Sequence, residues 1–197
     1  MTGGVTDGLG NPISGDLNVF RLDTTTGVYE EYFDFDVYAN GYIDGSLSDG
    51  TYKFSFDTGY ITEYYKDKAD PATSDAIVVS GGAPVQLGGW TIDQPYILGK
   101  ITNAAGKPPG GAAVDVFNAA DGDYLGGIHA DDKGAFKIPT QAAPVKVAFS
   151  ANDYALEFYS DAADLASAYP ITALASGTDV GNVVLAPRWQ RQRPGDQ

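Results

Sequence analysis

Apolar and polar residues alternate with a period of two in short runs along most of this chain. From Thr51 to Phe56 the apolar Tyr52, Phe54 and Phe56 alternate with Thr51, Lys53 and Ser55, and Val145, Val147 and Phe149 alternate with Lys146 and Ala148. Successive side chains of a strand point to opposite faces, so this pattern predicts half-buried strands. Turn signals separate the runs: Asn40-Gly41, Asp49-Gly50, Gly81-Gly82 and Lys133-Gly134. Asn-Gly suits a two-residue hairpin, whose central residues need positive φ, so a hairpin is expected between Tyr38 and Tyr42. Stretches 69–75 and 163–168 have room for one helical turn each, and their composition does not decide the matter.

The chain also repeats itself, which sets its domain organisation. GYITEYYKDKADPATSDAIVV from Gly59 matches DYALEFYSDAADLASAYPITA from Asp153 with an offset of 94 and no gap. Tyr60 falls on Tyr154, Glu63 on Glu157, Tyr65 on Tyr159, Asp67 on Asp161 and Asp70 on Asp164. VTDGLGNPISG from Val5 lines up with ITNAAGKPPGG from Ile101, and Val19-Phe20 with Val116-Phe117. The closing run VQLGGWTI from Val85 is matched to DVGNVVLA from Asp179. Two modules are expected, 1–94 and 95–187, followed by a tail over 188–197. The junction Asp93-Gln94-Pro95-Tyr96 is short enough to restrict independent tumbling. Seven or so strands per module at this spacing predict an all-β chain of two tandem β-sandwiches.

Composition agrees with that fold and narrows the function. With 25 Gly, 11 Pro, 13 Tyr and 9 Phe, the chain favours short strands and tight turns over helices. Twenty-six acids against 12 bases give a net charge of −14, which repels phosphate and argues against nucleic acid as a partner. There is no cysteine, which excludes disulfides and thiolate zinc sites. No apolar run reaches the length of a membrane span. The opening Met1-Thr2-Gly3-Gly4 has neither the basic nor the apolar region of a secretory signal, so export by another route, or excision from a longer chain, is expected.

The motifs resemble a known group. D-x-x-G-x-P-x-x-G after an opening strand, turns of the ANG and DDKG kind, and the SDGTYKFSF strand are similar to the carboxypeptidase regulatory-like module. That module is related to the prealbumin-like fold and to the B-type repeats of Gram-positive collagen adhesins. The resemblance covers about 185 of the 197 residues. It implies seven-stranded, immunoglobulin-like or prealbumin-like sandwiches serving as spacer, stalk or binding accessory, and it carries fold further than function. The B-type repeats can hold a Lys–Asn isopeptide bond promoted by a carboxylate. Lys100, Asn182 and Glu157 are the corresponding residue types in the second module, whereas the first has Gly4 and Gly88 at the matching places. Because Ile101 aligns with the inward Val5, Lys100 is expected to point outward and no cross-link is expected.

Few residues are suited to chemistry. His129 is the only histidine, falls on Asp36 in the repeat alignment and reads as a surface residue. HExxH and GxSxG strings are both missing. Asp121, Asp123, Asp131 and Asp132 invite a calcium reading, yet lack the DxDxDG spacing with a closing Glu, and Asp favours turns on its own account. Paired carboxylates for glycoside hydrolysis are available in number, but the acids sit in turns or alternate with core residues. The chain is therefore expected to be non-enzymatic, with no catalytic residue, cofactor or metal.

Binding is left to aromatics and to the tail. Tyr29, Tyr32, Tyr64 and Trp90 are candidates to stack on sugar rings or on a partner protein. Arg188, Arg191 and Arg193 are three of the four arginines, and Trp189 is one of two tryptophans. That tail carries +2 beside a first module of −11 and a second of −5. Trp and Arg are the residues most enriched at binding hot spots, so these four are candidate contacts. The expected partners are other structural proteins of an assembly or a cell-surface glycan, with self-association also open. The expected role is an exposed decoration or adhesion module on the surface of a bacteriophage virion. A fragment of a secreted cell-surface adhesin, or of a carbohydrate-binding accessory region, is the alternative.

Overall fold

The computed structural model describes residues 1–82 and 84–188. It is all-β apart from one 3-10 turn, Tyr159–Asp161. The chain divides into two compact units, Met1–Gln94 and Pro95–Gln197.

The first unit has strands β1 (Thr2–Asp7), β2 (Gly15–Leu22), β3 (Tyr29–Val37), β4 (Tyr42–Asp44), β5 (Gly50–Asp57), β6 (Thr62–Tyr64), β7 (Ile77–Val79) and β8 (Gln86–Ile92). One sheet has the order β4-β1-β8, with β1 and β8 parallel. The other has the order β3-β2-β5-β6, all antiparallel, with β7 also pairing with β5. Leu17, Val19, Tyr52, Phe54 and Phe56 of the second sheet share one core with Val5, Ile43, Leu87, Trp90 and Ile92 of the first. The two sheets thus form a sandwich. Each fully buried side chain of this size stabilises it by roughly 1.5–3 kcal/mol relative to exposure.

The second unit repeats the plan. Its strands are β9 (Tyr96–Asn103), β10 (Ala113–Asn118), β11 (Tyr124–His129), β12 (Ala135–Pro139), β13 (Val145–Ser150), β14 (Glu157–Phe158) and β15 (Thr178–Leu185). The sheets are β12-β9-β15, with β9 and β15 parallel, and β11-β10-β13-β14. Val114, Val116, Val145, Val147 and Phe149 pack against Ile97, Ile101, Phe136, Ile138 and Leu185.

Two details differ from the sequence reading, and a third, which it left open, is decided here. First, Asn40-Gly41 does not close a hairpin, because β3 lies in one sheet and β4 in the other. The turn is a crossover. Gly41 has φ +65° and its carbonyl accepts from Val5 N at 2.7 Å. A Cβ there would collide with the Val5 carbonyl oxygen. Gly134, at φ +79°, makes the same bond to Ile101 N and meets the same obstruction. Second, neither 69–75 nor 163–168 is helical; both are turns, at 71–73 and 165–167, held by Asp70 and Asp164. Third, the final strands match with an offset of 93, since Trp90 pairs with Val5 while Val183 pairs with Ile101. Gly88 and Gly181, at φ +70° and +76°, are then equivalent kinks.

Because each unit closes its own core, we predict that residues 1–94 and 95–187 each melt cooperatively when expressed alone. Gly134→Ala should lower the stability of the second by about 1–3 kcal/mol, the cost of a strained left-handed residue, without moving the first. Circular dichroism melts of the two fragments decide both points.

Candidate interaction surface

Several polar side chains drawn into the interior are engaged by backbone, whereas Ser74 Oγ is buried without a hydrogen-bond partner among the described residues. Glu63 on β6 is buried; its Oε1 accepts from Trp90 Nε1 at 3.1 Å and its Oε2 from Asp93 N at 3.2 Å. Burial pushes the Glu63 carboxyl up, opposed by those two hydrogen bonds. Glu157 on β14 is its repeat partner and accepts from Ala186 N at 3.1 Å. Lys53 projects from the outward side of β5, yet is also buried, and donates to the carbonyls of Pro71 and Ala72. Lys146 does the same for Leu165 and Ala166 at 2.8 and 3.0 Å. Period-two alternation placed Lys53 outward correctly, but gave no sign that the loop after β6 folds over it.

Turn aspartates are likewise occupied. Asp7 Oδ1 accepts from Leu9 N and Asn11 N, and Asp131 Oδ1 from Lys133 N and Ala135 N. Asp121 accepts from Asp123 N and Asn118 Nδ2. Of the acids behind the calcium reading, Asp121 and Asp131 are thus turn formers, as Asx geometry favours. Among the described residues no group of three or more acids, histidines or cysteines is placed to hold a metal ion. His129 is exposed on β11 opposite Ala113. Lys100 is exposed on β9, across from Asn182 on β15; the Asn182 amide exchanges hydrogen bonds with Thr102 Oγ1.

The outward face of the β3-β2-β5-β6 sheet is built differently. In register, Asp36 on β3 sits beside Asp16 on β2, which sits beside Asp57 on β5. Asp34 lies two residues along β3 on the same side, opposite Asn18. Like charges directly opposite across strands are destabilising. The exposed Asp16 carboxyl is pushed up, first by desolvation, then by its hydrogen bond to Asp36 and by repulsion from Asp36, Asp57 and Asp34. The four cations of this module face elsewhere or are committed: Arg21 donates to Asp49 O, Lys53 to the loop, and Lys66 pairs with Asp75 at 2.9 Å. Among the described residues Lys68 makes no ion pair with the row. Beside it stand aromatics: Phe20 lies 6.4 Å from Tyr64, and the Tyr29 ring is 4.9 Å from Lys53 Nζ.

The repeat shows which of these residues the fold requires. Phe117 and Phe158 replace Phe20 and Tyr64, so the aromatics persist. The row Asp36, Asp16, Asp57 becomes His129, Ala113, Ser150. A sandwich of this plan therefore forms without the acids.

The binding candidates separate accordingly. Tyr29 and Tyr64 are half-buried on this outward face. Tyr32 sits at the β3 bulge, 45% exposed, under the Arg21 guanidinium at 5.3 Å. Trp90 is only 3% exposed, stacked edge-on against Tyr65 and Phe56, so it is a core residue and not a stacking platform. Its indole is drawn inward by Glu63, a partner 27 residues away that the local sequence does not disclose. Arg188 N donates to Asp153 O at 3.0 Å; Trp189, Arg191 and Arg193 lie outside the described residues. The acid row itself was missed, because Asp16, Asp36 and Asp57 meet only through the cross-strand register.

No family model and no curated protein matches the chain, so the carboxypeptidase regulatory-like motifs stand as a resemblance. Solved structures of similar shape include shaft pilin SpaA from Lactobacillus rhamnosus GG, at 13% identity and TM-score 0.41, covering 94% of this chain and 95% of that one. A streptococcal ancillary pilin follows at 13% identity and TM-score 0.35, with 95% of this chain and 61% of that chain covered. The Bacillus anthracis TIE protein matches at 11% identity and TM-score 0.37 over 94% of this chain and 33% of its own. The chain thus spans a third of one of these proteins and under two thirds of another. At such scores the likeness adds nothing to the sheets described above.

Two predictions follow from these geometries. Glu63→Ala leaves the Trp90 indole N–H and the Asp93 amide without their acceptor, and should cost the first module about 1–3 kcal/mol in urea unfolding. Asp16 has a raised folded-state pKa, so the folded chain binds its proton more tightly than the unfolded one. The contribution of Asp16 to stability is then fully present below the ordinary aspartate value of 3.8 and is lost as pH rises through the raised value. Asp16→Asn should melt above the parent at pH 7, with the gap closing below pH 3.8.

Proposed function

We propose that this chain is a non-enzymatic interaction module of an extracellular assembly, two sandwiches in tandem that present the acidic face of the first to a partner. One observation carries the reading: Glu63, Glu157, Asp7 and Lys53, taken inside, and the half-buried Lys146 are engaged with backbone, while aspartates without an ion pair among the described residues stand outside on one sheet face. Residues engaged in this way stabilise a scaffold and are not poised for acid–base or nucleophilic chemistry. The outward acids cost stability that the second module does without, which suits a binding role.

A bacterial cell-surface setting is the reading we place first. The motif resemblance to adhesin repeats supports it, and the virion setting has no observation of the structure behind it. An antiserum against the chain should label intact cells of the source bacterium, and surface shaving with protease should release its peptides. Label confined to purified phage particles reverses the order, and turnover on a glycan or peptide panel that single carboxylate changes abolish returns the chain to the enzymes.

A further inference from the structure

We propose that the acidic outward face of the first module is the docking site for the C-terminal segment, residues 188–197, of a second copy of this chain. The inference rests on the reading of the chain as an assembly module, and names its partner.

Four observations converge on it. The face carries Asp36, Asp16 and Asp57 in cross-strand register, with Asp34 two residues along β3; Asp57 accepts from Gly59 N and Thr62 Oγ1, and no ion pair among the described residues neutralises the four. It is bordered by Phe20, Tyr29 and Tyr64 and ends at β3, the outer strand of its sheet, which among the described residues pairs only with β2. The second module lacks the acids at the same sheet positions, so they are not the fold's requirement. The chain's opposite charge is concentrated at its far end, where Arg188, Arg191 and Arg193 flank Trp189 in a segment of +2.

Charge and size match. The acid row crosses three strands, about 10 Å at the usual strand spacing. Ten residues in extended form reach about 30 Å, enough to cross the row and meet the aromatics. Laid along the sheet as a strand, alternate positions put Trp189, Arg191 and Arg193 on one side. The arginines would neutralise the aspartates while the indole covers the Phe20–Tyr64 edge. The acids of β3 repel β3 of another copy, which guards that edge against like-with-like pairing, and the same charge admits a basic segment. A contact between one end of a chain and the face of the next is heterologous, so it propagates into a line of copies and does not stop at a dimer.

Sedimentation velocity on the full chain tests this, run from low to high concentration in 50 and 500 mM salt. Mass should grow with concentration at low salt, and affinity should fall about tenfold or more at high salt. Deleting 189–197 should leave a monomer with an unchanged melt. Asp16→Asn with Asp36→Asn should also weaken association about tenfold or more, while raising the melting temperature, a pairing that misfolding does not produce. A synthetic peptide of residues 187–197 should bind the deleted chain and not its double-Asn variant. Association that survives the deletion overturns the proposal, as does a full chain that stays monomeric at every concentration. A monomer whose deleted form binds the peptide identifies the occupant as the chain's own tail and overturns the second copy. Cell-surface labelling is independent of all these outcomes, so failure here leaves the placement of the chain to be judged separately.

Discussion

Each module depends on one buried glutamate that ties its two sheets together at the end of the last strand. Glu63 stands on β6 in one sheet and holds Trp90 and Asp93, which belong to or follow β8 in the other. Glu157 on β14 holds Ala186, just past β15. The last strand pairs in parallel with the first, so its position depends on contacts between the two ends of a module. Such closure is costly in chain entropy and has no tight turn to set its register. A carboxylate taken out of water is itself expensive unless hydrogen-bonded, which is why it fixes the strand at one place: slipping β8 by a residue would leave the charge without its donors. The same bond turns the Trp90 ring into the core, where it meets Phe56 and Tyr65.

The period-two runs and the internal repeat made most of this fold legible, because alternation reports the buried face of a strand directly. Tyr52, Phe54, Phe56 and Val145, Val147, Phe149 are all fully buried. What local sequence could not report was the identity of neighbours. Asn40-Gly41 announces a reversal, but not that the chain leaves one sheet for the other. Lys53 alternates outward as read, yet is buried by a loop that returns 18 residues later. Trp90 sits among Gly88, Gly89 and Thr91, a context that suggests exposure until Glu63 is placed beside it.

The two modules also separate what the scaffold needs from what one copy has added. Both keep the buried glutamate, the lysine over the loop, the crossover glycine and the aromatic pair on the outward face. Only the first has the aspartate row, in which the Asp16 carboxyl is pushed up, by desolvation first and then by its hydrogen bond to Asp36 and by repulsion from Asp36, Asp57 and Asp34. The row is thus an addition of the first copy, and in the proposed function it is the face turned to a partner. No local pattern pointed there: the three acids lie some twenty residues apart, and register alone brings them together.

Amide hydrogen exchange at Asp93 and Ala186 tests most directly whether a buried glutamate fixes the closing strand of each module. Both amides lie beyond the ends of their strands, Ile92 and Leu185, where fraying would ordinarily allow rapid exchange. If Glu63 and Glu157 hold them, they exchange only when the module unfolds, as slowly as the amides of β5 and β13. Rapid exchange at both sites, with the sheets still protected, would show that the strand ends are free and that closure is held by packing alone.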